Sequence, residues 1–168
     1  MSAGSQSTSL ATAARSAGAG TLIWIGLLAG VFDIADNIIF NFFRSITPYQ
    51  IFQYIASGLI GPRAFHLGWS SVALGVVLHF TIALIWTTVF FLASRKLAFL
   101  VRRPVLWGPV YGIIVYVFME WVVLPRSGIP QPRAVSLANR VNGVLALMFC
   151  IGFAVAMFIS RKFPVPQD

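Results

Sequence analysis

Four stretches of this chain each approach the length of about 20 apolar residues that an α-helix needs to cross the hydrocarbon core of a bilayer. They cover residues 22–43, 69–93, 105–124 and 137–159. Lipid offers no partner to a backbone N–H or C=O, so each stretch must close its hydrogen bonds internally, which a helix does within a single segment. The overall composition agrees: of 168 residues 58% are hydrophobic and only 10% charged, against roughly 25% charged in an ordinary soluble domain. The chain is therefore expected to be all-α and polytopic, a four-transmembrane-helix bundle over residues 21–160. Residues 1–20 are Ser, Ala, Thr and Gly with one charge at Arg15, which reads as a disordered N-terminal segment, and residues 161–168 form a C-terminal tail.

The formal charge is +8, from 12 basic and 4 acidic residues. In a membrane chain this balance orients the spans and touches anionic lipid. Nucleic acid is not an expected partner, because no basic stretch is interleaved with exposed aromatics. Arg15, then Arg95, Lys96, Arg102 and Arg103, then Arg161 and Lys162 lie on the side of the N-terminus, seven in all. Arg44, Arg63, Arg126, Arg133 and Arg140 make five on the other. The dense "SRKLAFLVRRP" turn decides the expected orientation, with both termini cytoplasmic.

The connection "RSITPYQIFQYIASGLIGPRAFHLGW" carries its own helix signal. Thr47 followed by Pro48 marks a helix start, and Ile51, Phe52, Ile55 and Leu59 fall on one face. At roughly a dozen residues the segment is too short to span, so an interfacial or re-entrant helix is expected between the first two spans. Gly58 and Gly61 with Pro62 should break it. The third connection, "PRSGIPQPRA", should be an extended loop.

Within the spans the polar residues recur at helical spacing together with small ones. Gly26, Gly30, Asp33, Asn37 and Asn41 share a face of the first helix. Gly68, Ser71, Gly75 and His79 do so in the second, Gly108, Gly112, Tyr116 and Glu120 in the third, and Asn139, Gly143, Ala146 and Cys150 in the fourth. Small residues allow helix backbones to approach, and close packing holds helices together in lipid. Gly26, Gly30, Gly75, Gly108, Gly112 and Gly143 are thus the expected helix-packing residues. The stripes should face one another, gathering Asp33, Asp36, Asn37, His79, Glu120, Asn139 and Arg140 into a polar funnel that narrows towards Asp33 and His79.

The plainer reading of the same residues is that amides, Tyr116 and Cys150 only tie helices together, and that Glu120 pairs with Arg140 to fix register. Asp33 and His79 resist it, because ionisable groups near the bilayer midplane usually mark a pathway or a site. A carboxyl group in a desolvated place can hold a proton at neutral pH, and histidine titrates near pH 6.5, so the two could pass one on.

Other chemistries find little support. A bis-histidine haem would need His66, which lies in a connection, and no spaced metal motif joins Asp33, Asp36, His79 and Glu120. Neither Ser70 nor Ser71 sits in a nucleophile-elbow pattern, and the glycines of the first connection resemble no phosphate loop. No enzyme activity, cofactor or metal is expected. Cys150 is the single cysteine, so an internal disulfide cannot form.

The segments "PYQIFQYIASGLIGPRAFHLGWSSVALGVVLHFTIA" and "RRPVLWGPVYGIIVYVFMEWVVLP" resemble small bacterial inner-membrane proteins of the YagU-like type. The likeness lies in the short helix, the "ASGLIG" break, the histidine of "LGVVLHF", the "GPVYGI" opening and the "VVLP" exit, over roughly residues 20–125. It implies a bacterial inner membrane and a loose link to acid resistance. Two functions follow as expectations: an outward-facing funnel that handles protons, ions or a small polar solute, or a structural or accessory protein. Membrane lipid is the expected partner, with self-association through Ala29, Gly30 or Gly152, or docking in a larger complex, beside it.

Overall fold

A computed structural model describes residues 3–130 and 136–164, with side chains from residue 18 onward. Four helices are long and apolar enough to cross a membrane: Gly18–Phe42, Trp69–Lys96, Pro104–Arg126 and Leu137–Lys162. At 1.5 Å per residue the shortest, 23 residues, reaches about 34 Å, which exceeds the hydrocarbon core. The described residues contain no strand, and the chain is an all-α integral membrane protein. The first helix extends back to Ala3, where the sequence suggested disorder. Its alanines favour continuing a helix already nucleated by the span. Residues 131–135 of the third connection, including Arg133, and residues 165–168 of the tail lie outside the described residues.

The spans pack as two close pairs joined through the fourth. A Cβ on Gly26 would lie 2.7 Å from Leu84, and one on Gly30 2.9 Å from Phe80, so the first span rests on the second. The third and fourth spans meet backbone to backbone. A Cβ on Gly112 would stand 2.3 Å from the Leu147 oxygen, and one on Gly152 2.2 Å from the Gly108 oxygen. Gly143 is looser and faces only the Tyr116 ring. Second and third spans touch through aromatic side chains: Tyr111 donates to the Trp86 carbonyl at 2.6 Å, and its ring meets that of Phe90 edge-on at 4.9 Å.

Two of these contacts correct the expected arrangement. Gly75 does not face another span but the short helix Pro48–Ile60, whose Phe52 carbonyl oxygen would lie 2.0 Å from a Cβ there. Ala29, Gly30 and Gly152, expected to leave a face for a second copy, are buried within the chain, Gly30 against Phe80 and Ala83 and Gly152 against the backbone of Gly108 and Gly112.

The short helix begins as its sequence indicates. Gln50 N–H donates to Thr47 Oγ1 and Thr47 N–H to Gln50 Oε1, a capping box that satisfies two otherwise orphaned donors, and Pro48 sits where its missing N–H is harmless. It ends at Gly61, whose φ of +66° suits glycine. Its buried face shares only Ile51 with the apolar one read from the spacing. Ile51, Gln53, Ala56 and Ser57 are buried while Leu59 is exposed. Gln53 Nε2 donates to the Ala64 carbonyl at 3.3 Å and to Ser71 Oγ at 3.4 Å. The helix therefore docks on the second span, reaching Gly75 about 9 Å along that span from its first residue. On its other side, Gly128 N–H donates to the Gly58 carbonyl at 2.9 Å, pinning the third connection.

The hydrophobic core lies toward the end where the first span begins and the fourth finishes. Ile25, Ala29, Ala83, Phe90, Val155 and Ile159 belong to one buried cluster. Phe163 packs beside Gly18 and against the Phe91 ring at 4.9 Å, which holds these span ends together. We call this the terminal face, and the opposite one the short-helix face.

Candidate functional site

His79 is buried within the second span, 9% exposed. Glycine at position 30 lets the second span come close enough for the His79 ring to reach the first span's backbone, where Nε2 donates to the Gly30 carbonyl at 2.8 Å. That bond assigns the proton to Nε2 and leaves Nδ1 as the position that gains a proton when the ring becomes charged. The charged groups that act on Asp33 are His79 and Asp36. Asp33 is half-buried and receives no hydrogen bond from the described residues. Asp36 is held by Asn142 of the fourth span, whose Nδ2 donates to its Oδ2 at 3.1 Å.

Cys150 completes this group. Its thiol lies within the electrostatic reach of both Asp33 and Asp36, and it sits in a π-helical stretch, Leu147–Phe153, of the fourth span. A second π-helical stretch, Met119–Val123, carries Glu120 in the third span, with Leu124 N–H donating five residues back to the Met119 carbonyl. Pro125 accounts for it: the ring has no N–H to give and crowds the carbonyl four residues earlier, and a widened turn relieves both. Single π turns inside helices frequently accompany functional sites.

Glu120 belongs to a separate group nearer the short-helix face. It acts electrostatically on Tyr116 together with Arg140, and on Tyr54 of the short helix. Burial and the Glu120 charge hold the Tyr54 phenol above its ordinary range. No ion pair joins Glu120 to Arg140 among the described residues, so the expected register-fixing pair does not form in this arrangement. Arg140 is exposed at the rim.

The expected funnel residues therefore fall into three sets. Asp33 feels the charges of His79 and Asp36, Asn142 holds Asp36, and Cys150 lies within the electrostatic reach of both carboxylates. Glu120 and Arg140 stand apart around Tyr116. Asn139 is exposed and does not point inward, because it accepts a hydrogen bond from Arg44 at the rim, and Arg44 also stacks on the Phe40 ring at 4.1 Å. Asn37 is engaged within its own helix, its side-chain oxygen and its carbonyl both accepting from Asn41 Nδ2, at 3.0 and 2.9 Å. Among the described residues no three His, Cys, Asp or Glu side chains converge as metal ligands do.

Towards the terminal face the polar line stops. Below His79 the same face of the second span continues through Ala83 and Thr87. Thr87 Oγ1 is buried opposite Gly26 with no hydrogen-bond partner among the described residues. The first span is equally closed there, with Ala29 at 0% and Ile25 at 3% exposed. The ionisable residues thus have a packed, mostly apolar floor on one side and polar neighbours on the other. Comparison with family models, with curated proteins and with solved structures finds no match to this chain.

Proposed function

We propose that this integral membrane protein takes up protons, or a small polar solute that exchanges them, from its short-helix face, with Asp33 and His79 as the exchanging groups. One observation carries the reading: a carboxylate with no hydrogen-bond donor among the described residues feels the charge of a histidine whose Nε2 is already committed to Gly30. A proton arriving at His79 is received at Nδ1, since Nε2 is committed to the Gly30 carbonyl. The packed layer of Ile25, Ala29 and Ala83 below the site argues against an open pore. Uptake from one side, followed by a change of conformation, fits this geometry better.

The seven-to-five division of basic residues supports cytoplasmic termini, which would turn the short-helix face outward. With the YagU-like resemblance, it supports a bacterial inner membrane as the location we propose. In proteoliposomes with a pH-sensitive dye inside, Asp33→Asn and His79→Ala should each lower proton flux. Flux unchanged in both variants would end the proposal.

A second reading has its own support. Asn142 on Asp36, Asn41 on Asn37 and Arg44 on Asn139 pair polar groups with one another, as in a scaffold that only fixes helix register. A stoichiometric membrane partner recovered by crosslinking and mass spectrometry, from a protein that moves no protons, would favour this reading.

A further inference from the structure

We infer that the terminal face binds anionic phospholipid at a site built from three pairs of cations. Arg95 and Lys96 finish the second span, Arg102 and Arg103 close the turn before the third, and Arg161 and Lys162 finish the fourth. All six side chains are exposed, and none forms a hydrogen bond or ion pair with the described residues. The turn does not swing free. Leu100 and Val101 of its single helical turn, Phe99–Arg102, are each 8% exposed and belong to the same buried cluster as Ile159, two residues before Arg161. This packing holds the three pairs at one end of the bundle.

Charge alone would suit any polyanion, but the neighbours of these cations narrow the choice. Leu97 and Phe99 stand exposed in the same turn, and Leu106 stands exposed in the first turn of the third span. A ligand that meets cations and apolar side chains together is an amphiphile: its phosphate contacts the guanidinium and ammonium groups while its acyl chains lie along the leucines and the phenylalanine. The short-helix face differs. There Arg44 is bonded to Asn139, Arg126 donates to the Val122 carbonyl at 3.1 Å, and the carboxylates of Asp36 and Glu120 share the same half of the bundle. The described acids Asp33, Asp36 and Glu120 all lie away from the terminal face.

The full chain reconstituted in bilayers of mixed phosphatidylcholine and phosphatidylglycerol, then extracted with its bound lipid, gives the test. The retained lipid should be several-fold richer in phosphatidylglycerol than the starting bilayer. R102Q/R103Q and R161Q/K162Q should each lose most of that enrichment, while R63Q/R126Q on the other face should keep it. Each double variant leaves four cations on the terminal face to hold orientation, and circular dichroism of the extracted protein separates lost lipid from lost fold. Should folded terminal-face variants retain as much phosphatidylglycerol as the parent, or the short-helix-face variant lose as much as they do, the inference is overturned.

Discussion

The His79 imidazole and the Gly30 carbonyl meet at 2.8 Å across the first two spans. This contact fixes both the tautomer of the ring and the distance between the helices. Neutral His79 should therefore carry its proton on Nε2, and nitrogen-resolved NMR of labelled protein in nanodiscs should report that tautomer. Gly30→Leu would drive a side chain into Phe80 and Ala83. It should cost about 1–3 kcal/mol of stability, typical of overpacking, and release the tautomer preference. A ring protonated on Nδ1 in the parent protein would contradict the assignment.

Glycines that look alike in the sequence should differ sharply on substitution. Gly152→Ala places a methyl group against the Gly108 oxygen and the Gly112 backbone, where nothing can rotate away. Gly143→Ala meets only the edge of the Tyr116 ring. The first should cost close to the top of the roughly 1–3 kcal/mol range for overpacking, the second only a small fraction of it. Unfolding in mixed micelles ranks them, and equal costs would show that the third and fourth spans are not in backbone contact.

Thr87→Val is expected to stabilise the protein. Its hydroxyl is buried without a partner among the described residues, and an unmade hydrogen bond in an apolar place costs about 1–3 kcal/mol. Valine keeps the shape and removes the polar atom. A destabilised Thr87→Val protein would mean that the hydroxyl is satisfied in the membrane, and that the floor beneath His79 is wetter than its packing indicates.

The spans and the capped start of the short helix were legible because each depends on local chemistry: run length in the first case, Thr47, Pro48 and Gln50 in the second. The face that the short helix buries was not. Hydrophobic spacing pointed to Leu59, whereas Gln53 and Ser57 go inward because Ser71, Ala64 and Gly75 on other elements are there to meet them. Asn139 was misplaced for a related reason, since its partner Arg44 is 95 residues away in the chain. Of the two π-helical stretches, one had a visible cause in Pro125. The other, beside Gly112, has no counterpart in residue type alone. Asp33 could be read as close to the second span because it shares a helix face with Gly26 and Gly30, which pack on that span, whereas Gly75 on the His79 face meets the short helix instead.

Cys150 provides the most direct measurement of the central claim, since the single thiol of this sequence lies within the electrostatic reach of Asp33 and Asp36. A membrane-impermeant thiol reagent, applied to oriented vesicles from one side at a time, reports which face reaches that cluster. Modification from the short-helix face alone, slowed when Asp33 and His79 are replaced by bulky apolar residues, is the predicted result. Modification only from the terminal face, or none from either face while the denatured protein reacts fully, would contradict it.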